Sequence, residues 1–399
     1  MPAPIRISVV IGTRPEAIKL APVILAARAR RSEFDVSVVR TGQHRELVDQ
    51  LMEEFGLQAD VDLDVMRRDQ DLAHVMSASI GGLSDFFARE RPDWVLVQGD
   101  TTTTFAGALA AFYNHVRIGH VEAGLRTGNR SSPFPEEANR SLTARIADLH
   151  FAPTPQARAN LLAEGIADEH ILVTGNTVVD ALLRALDRPA RVPAPYRPPG
   201  ALPYVLVTAH RRENHGPGLK RVCEAVLMIL DEHPKLVAVV PMHPSPRLRD
   251  VFTSMLGTHA RVHLTDALGY RSFVSALEGA ALVLTDSGGV QEECCALGKP
   301  VLVLREDTER PEAVDAGVAV VVGTCPHDIA CAAARLLADS GTRRAMSGAS
   351  KAFGEGIAST VILDALLQAR EQGNSMARPK QSTALADASA MSCRPAVRG

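Results

Sequence analysis

Ile5-Arg6-Ile7-Ser8-Val9-Val10-Ile11-Gly12-Thr13-Arg14-Pro15-Glu16-Ala17-Ile18-Lys19 opens the chain and decides its fold. The run Ile5–Ile11 reads as a strand, Gly12 permits a tight turn, and Pro15 suits the first turn of a helix. The alternation then repeats along the chain. Strands are expected at Val36–Val39, Trp94–Val97, Ile118–Val121 and Ile171–Val173. After a break they resume at Tyr204–Val207, Leu236–Val240, Val262–Leu264, Ala281–Leu284, Val301–Leu304 and Val318–Val322. Helix-length stretches such as Ala21–Arg31, Thr103–Tyr113, Glu137–Ile146 and Arg221–Leu230 lie between them. Strands alternating with helices form βαβ units, so the expected class is α/β, with parallel sheets covered by helices on both faces. Val95-Leu96-Val97, apolar at successive positions, suits a strand buried on both sides.

At 399 residues the chain exceeds the size at which one core stops growing, so two domains are expected. The break between them is compositional: Pro189, Pro193, Pro195, Pro198, Pro199 and Pro203 crowd one stretch. The expected division is therefore residues 1–187, a linker over 188–203, a second domain over 204–372, and a disordered tail over 373–399. A net charge of -3 without a long basic run argues against nucleic-acid binding, which draws its affinity from clustered Lys and Arg. No apolar run reaches the length of a membrane span, and the first residues lack a signal-peptide pattern. The six cysteines, Cys223, Cys294, Cys295, Cys325, Cys331 and Cys393, show no paired metal-ligand spacing and read as reduced thiols. A cytoplasmic protein is expected, with no metal.

In parallel sheets, ligands bind beyond the carboxyl ends of the strands. Four polar groups fall at such positions in the first half. Arg14 and Lys19 follow the first strand, where a positive helix end favours an anion, unless both are solvated surface charges. Asp100, in Gly99-Asp100-Thr101-Thr102-Thr103-Thr104, either caps the next helix or faces the mouth of the sheet. Glu122, in His120-Val121-Glu122-Ala123-Gly124-Leu125-Arg126, has neighbours able to tune its pKa. Glu136, in Pro135-Glu136-Glu137-Ala138-Asn139-Arg140, enters a helix whose first turn commonly holds acidic residues. Together, Asp100, Glu122 and Glu136 are expected to meet in one cleft, suited to proton transfer beside an anionic leaving group.

The second half offers a complementary anion site. His210-Arg211-Arg212 ends a strand and reads as a phosphate contact. In Asp286-Ser287-Gly288-Gly289-Val290-Gln291-Glu292-Glu293, the Ser287, Gly288 and Gly289 main chain opens a helix toward a pyrophosphate. Glu293, roughly one turn on, is then in range of a ribose diol, and Arg310 adds a positive charge near a turn. No strand–helix junction carries G-x-G-x-x-G, and Gly298-Lys299-Pro300 is no P-loop, so neither NAD nor ATP hydrolysis is indicated and no cofactor is expected.

The blocks GTRPEAIK (Gly12–Lys19), GDTTTT (Gly99–Thr104), HVEAGLRTG (His120–Gly128), PEEANR (Pro135–Arg140), GNTVVDAL (Gly175–Leu182), HRRE (His210–Glu213), DSGGVQEE (Asp286–Glu293) and TERPEAV (Thr308–Val314) resemble the bacterial, non-hydrolysing UDP-N-acetylglucosamine 2-epimerases. The resemblance covers roughly the first 365 residues. It implies a glycosyltransferase-B-like pair of Rossmann-like domains, an active site in the interdomain cleft, and a last helix that crosses back to the first domain. It implies that Asp100, Glu122, Glu136 and His210 are catalytic. It places Arg14, Lys19, Ser287, Gly288, Gly289, Glu293 and Arg310 on UDP, with Phe273 near uracil. Leu268 stands where the family usually has Gln, so a main-chain contact would replace that side chain. Gln43, His44 and His243 match an allosteric site for a second UDP-N-acetylglucosamine. A homodimer is also implied, as is a role in surface polysaccharide precursor synthesis.

The C2 hydrogen of a closed pyranose has no adjacent carbonyl and is not acidic. Without NAD, the remaining route expels UDP from C1 while a base takes the C2 proton, giving a 2-acetamidoglucal. UDP then adds back with protonation on the opposite face. The rival readings are a glycosyltransferase of the same fold, a silent UDP-sugar sensor, and a hydrolysing relative.

Overall fold

The computed structural model describes residues 3–42, 45–65, 71–131, 133–187, 202–338, 341 and 346–375. Gln43, His44, most of the linker and the tail beyond Ser375 lie outside the described residues. Among the described residues, thirteen strands form two sheets. The first holds β1 (Ile5–Ile11), β2 (Phe34–Arg40), β3 (Val61–Asp62), β4 (Trp94–Gln98), β5 (Arg117–Val121), β6 (Leu149–Ala152) and β7 (Ile171–Val173). The second holds β8 (Tyr204–Thr208), β9 (Val237–Pro241), β10 (Val262–Thr265), β11 (Leu282–Thr285), β12 (Val301–Val303) and β13 (Ala319–Val321). Every strand pair in both is parallel.

The strand orders are β3-β2-β1-β4-β5-β6-β7 and β10-β9-β8-β11-β12-β13. Each sheet therefore reverses its winding once, between β1 and β4 in the first and between β8 and β11 in the second. A reversal leaves a crevice at the carboxyl ends of its two strands, because the following helices go to opposite faces. The Gly12–Arg14 turn and Gly99-Asp100 flank the first crevice; His210 and Ser287 flank the second.

The helices are α1 (Arg14–Ala29), α2 (Arg45–Glu54), α3 (Leu72–Glu90), α4 (Thr102–Tyr113), α5 (Glu136–Ile146), α6 (Pro155–Ala163) and α7 (Thr177–Asp187) in the first half. The second half has α8 (Pro217–Glu232), α9 (Pro246–Leu256), α10 (Tyr270–Gly279), α11 (Gly288–Leu297), α12 (Pro311–Asp315), α13 (Pro326–Ala338) and α14 (Ala358–Ser375). Apolar side chains of β1, β4 and β5 pack with Leu83, Phe86 and Phe87 of α3. Val178 and Val179 of α7 share an apolar cluster with Leu206 and Val283 of the second sheet and Cys294 of α11. The first turn of α14 is held by Asp180 of α7, whose carboxylate accepts from Ala358 N at 3.2 Å and Ser359 N at 2.8 Å.

The parallel α/β architecture is as expected, with two additions. β3 is two residues long, and β6 is a four-residue Leu-His-Phe-Ala run whose His150 is buried. Neither carries the length or uniform apolar character that marks a strand in sequence. α14 also continues to Ser375, past the expected start of the tail at 373.

Candidate functional site

The first crevice is built around a buried carboxylate that is structural. Glu16 of α1 accepts from the N–H groups of Gly12 (2.8 Å) and Thr13 (2.5 Å) and from the hydroxyls of Thr101 (2.5 Å) and Thr104 (3.0 Å). It thereby ties the turn after β1 to the start of α4. A Cβ on Gly12 would stand 2.1 Å from Thr103 Oγ1, so only glycine lets the turn approach α4. Thr101, not Asp100, caps α4, accepting from Thr104 N at 3.0 Å. Asp100 is thus released from capping, and its carboxylate pairs with Arg140 of α5.

Arg140 reaches further. Its Nη1 donates to the main-chain carbonyl of Glu122 at 2.5 Å, and its Nη2 lies 3.5 Å from Glu122 Oε1. Glu122, at the end of β5, takes φ +61, a left-handed backbone that a glutamate rarely adopts. Its carboxylate is 4% exposed, pairs with Lys19 of α1, and accepts from Asn176 Nδ2 at 2.8 Å. Burial alone would raise its pKa, but Lys19, then Arg140 and Arg310, outweigh burial and hold it well below the usual carboxylate range. Beneath this loop, Nε2–H of the buried His120 donates to the Gly99 carbonyl at 2.8 Å and fixes the residue preceding Asp100.

The network continues into the second half. Asn176 Nδ2 also donates to Glu292 Oε2 at 2.7 Å, and Glu292 pairs with the Arg310 guanidinium. That guanidinium lies over the turn that opens α11: a Cβ on Gly288 would be 3.3 Å from Arg310 Nη2. Burial would lower the pKa of Arg310, but Glu292, Glu122 and Glu309 raise it, so the group stays charged. Ser287 occupies the N-cap of α11 and makes no side-chain cap, leaving the amide end of this helix beside a fixed positive charge.

Asp286, fully buried, organises the loop after β8. It accepts from His210 N (2.9 Å), Arg211 N (2.9 Å) and Asn214 Nδ2 (2.9 Å). The His210 ring is 40% exposed and stacks on His243, with centroids 5.8 Å apart and an interplanar angle of 9°. His243 thus adjoins His210.

Two contacts join α1 and α2 to α10 and the residues that lead into it. Arg14 Nη2 donates to the Leu268 carbonyl at 2.7 Å. Glu54 caps α10, accepting from Tyr270 N at 3.2 Å and Arg271 N at 3.1 Å. Tyr270 Oη in turn donates to Glu293 at 2.9 Å, and burial foremost raises the Glu293 carboxyl to about 7. Phe273 is half-buried and packs on the second sheet's core.

The structure therefore joins Asp100, Glu122, Lys19 and Arg310 through one chain of ion pairs and hydrogen bonds from the Asn176 amide. Glu136 opens α5 one turn before Arg140 and is half-buried. Lys19, expected at a phosphate, pairs with Glu122. Arg140, Asn176 and Glu292 were present in the motif blocks but not singled out. The signal that marks them is spatial: an Arg, an Asn and a Glu only 3%, 1% and 0% exposed require partners.

The family model for UDP-N-acetylglucosamine 2-epimerase matches residues 26–367. The chain belongs to this family. It is 46% identical over 363 residues to the UDP-N-acetylglucosamine 2-epimerase of Bacillus subtilis, covering 91% of this chain and 95% of that one. It is 45% identical over 370 residues to that of Escherichia coli K12, covering 90% and 98%. A solved structure of the UDP-GlcNAc 2-epimerase from Neisseria meningitidis, bound to UDP-GlcNAc, superposes with a TM-score of 0.88 at 42% identity, covering 91% of this chain and all of that chain. The Methanocaldococcus jannaschii UDP-GlcNAc 2-epimerase, in complex with UDP-GlcNAc and UDP, gives 0.80 at 32% identity, covering 91% and 100%. The two parallel-sheet domains match these epimerases and share their glycosyltransferase-B-like fold. As a family member the chain is an isomerase. Among the described residues no helix is long and apolar enough to cross a membrane.

Proposed function

We propose that this chain interconverts UDP-N-acetylglucosamine and UDP-N-acetylmannosamine by expelling UDP to a 2-acetamidoglucal and adding it back. One observation carries the reading. A buried carboxylate, Glu122, sits among Lys19, Arg140 and Asn176, and an unbroken set of bonds leads from it to Arg310 at the opening of α11. Acid–base groups and a diphosphate clamp are what the elimination needs, and here they are wired together.

In this mechanism the diphosphate occupies the amide end of α11 at Ser287, Gly288 and Gly289, with Arg310 and Arg14 neutralising the charge that develops on departure. His210 assists at the phosphate side, held by Asp286. Asp100, Glu122 and Glu136 share the proton transfers on the two faces of the sugar. The environments of the first two differ. Glu122 is enclosed by cations that favour its anion, whereas the Asp100 side chain is 25% exposed and shares one partner, Arg140. Asp100 is then the group with freer access to solvent protons, and Glu122 the one whose anion is the more strongly favoured. Glu293 takes the ribose diol and Phe273 lies toward uracil, while the Leu268 carbonyl, already accepting from Arg14, supplies main-chain recognition. The product feeds surface polysaccharide precursors, and the enzyme works as a cytoplasmic homodimer without cofactor. An allosteric UDP-N-acetylglucosamine site would draw on Gln43, His44 and His243.

The test is proton NMR of UDP-N-acetylglucosamine incubated with the enzyme alone. A stable mixture of the two UDP-sugars is expected. Free N-acetylmannosamine with UDP as the main product would make the enzyme a hydrolysing relative, and no change without an added acceptor would favour a transferase or a sensor.

A further inference from the structure

Asn176 stands where three parts of the molecule meet. It precedes α7, is 1% exposed, and its main-chain N–H donates to the Phe353 carbonyl at 2.7 Å. Next to it, Gly175 takes φ +81 and leaves no room for a side chain, since a Cβ would lie 2.9 Å from Gly354 Cα. The chain is therefore pinned at this point. The side chain has one available orientation as well. Oδ1 accepts from Val178 N at 3.2 Å, so Nδ2 must face the other way, toward the carboxylates. There it spends its two hydrogens on two acids, Glu122 Oε2 at 2.8 Å and Glu292 Oε2 at 2.7 Å.

We propose that Asn176 is a positioning residue of the reaction: its amide fixes Glu122 of the first sheet and Glu292 of the second in one geometry, so that the acid–base cluster and the Arg310 clamp are aligned. Charge makes the choice of residue specific. Glu122 also faces Lys19, Arg140 and Arg310, and Glu292 faces Arg310 and Lys19. A neutral double donor links the two acids without adding to either sign. An aspartate there would keep the cap on Val178 N but place a third carboxylate between them, and a lysine would compete with Lys19 and Arg310.

The proposal rests on the reading that Glu122 takes part in the chemistry at C2. It is tested by Asn176→Asp and Asn176→Ala, with Glu122→Gln alongside, on the full-length enzyme. UDP affinity and thermal denaturation report whether the clamp and the fold survive. For Asn176→Asp we expect kcat to fall about ten- to a hundredfold, the loss typical of a hydrogen bond to a charged group, with UDP affinity within about threefold of wild type. The acidic limb of the kcat profile should also move to higher pH, because the added carboxylate opposes ionisation of Glu122. Asn176→Ala should lower kcat without that upward move beyond the loss of one donor. A kcat within about threefold of wild type in both variants overturns the proposal, as does a fall in UDP affinity that accounts for the whole loss in kcat/KM. Should Glu122→Gln retain wild-type turnover, the underlying assignment of Glu122 fails instead. An inactive Glu122→Gln beside an unperturbed Asn176→Asp defeats the Asn176 proposal alone.

Discussion

The buried carboxylate of Asp286 receives the main-chain N–H of His210, its Oδ2 lying 2.9 Å from that nitrogen. The same oxygen serves Arg211 N and Asn214 Nδ2. Asp286→Ala would strand these donors, the buried Asn214 amide among them, at a cost of about 3–5 kcal/mol to the fold. Asp286→Asn keeps one acceptor and should cost less, while still lowering turnover by releasing His210. Urea denaturation and kcat for the two variants check the order.

Glu293 and Tyr270 give a second prediction. Burial raises the Glu293 carboxyl to about 7, against an ordinary value of 4.5. The folded protein therefore binds a proton here that the unfolded chain has lost, and this contribution is present below pH 4.5 and lost as pH rises through 7. Glu293→Gln escapes that loss and should be more stable than wild type at pH 8, by roughly 1–3 kcal/mol, with little difference at pH 5. If Glu293 holds the ribose, the same variant binds UDP about tenfold more weakly. Denaturation at the two pH values and calorimetry with UDP separate the effects.

The histidines of β5 and β6 act in the opposite direction. Burial pushes His120 down to about 3 and His150 down to about 4, so both are neutral in the fold. Below pH 6.5 the unfolded chain takes up protons that the fold refuses. Stability therefore falls with pH from 6.5 toward those values, by at most about 1.4 kcal/mol per pH unit for each histidine. His150→Asn should show a shallower decline in Tm between pH 7 and 5 than wild type. An identical slope would mean that His150 already carries its proton in the fold.

Glu54 and Gly269 should be coupled. A Cβ on Gly269 would stand 2.1 Å from Glu54 Oε1, so Gly269→Ala must displace the carboxylate that caps α10. Each single substitution, Gly269→Ala or Glu54→Ala, should cost about 1–2 kcal/mol. In the Glu54→Ala background, Gly269→Ala should cost about 1 kcal/mol less, which a double-mutant cycle measures directly.

The strands that the sequence reveals are those buried on both faces, such as β4 and β8, where every residue is buried. β6 was hidden because half of its four residues, Leu149 and His150, give no consistent pattern, and the burial of His150 depends on its neighbours in the sheet. Crevice residues at strand ends were legible for the same reason that ligands bind there. What sequence could not supply was the pairing. Lys19 and Glu122 stand 103 residues apart and meet only because β1 and β5 both border β4. In Glu292-Glu293 the first acid meets Arg310 while the second meets Tyr270, a distinction set by the side of α11 each one occupies.

The most direct measurement follows the C2 position itself. With UDP-N-acetylglucosamine in deuterated water and no acceptor, the enzyme should place solvent deuterium at C2 of the epimerised product, and Asp100→Asn or Glu122→Gln should slow that incorporation by orders of magnitude. Formation of the epimer with its C2 hydrogen retained would contradict proton exchange by these acids, and with it the account of the site.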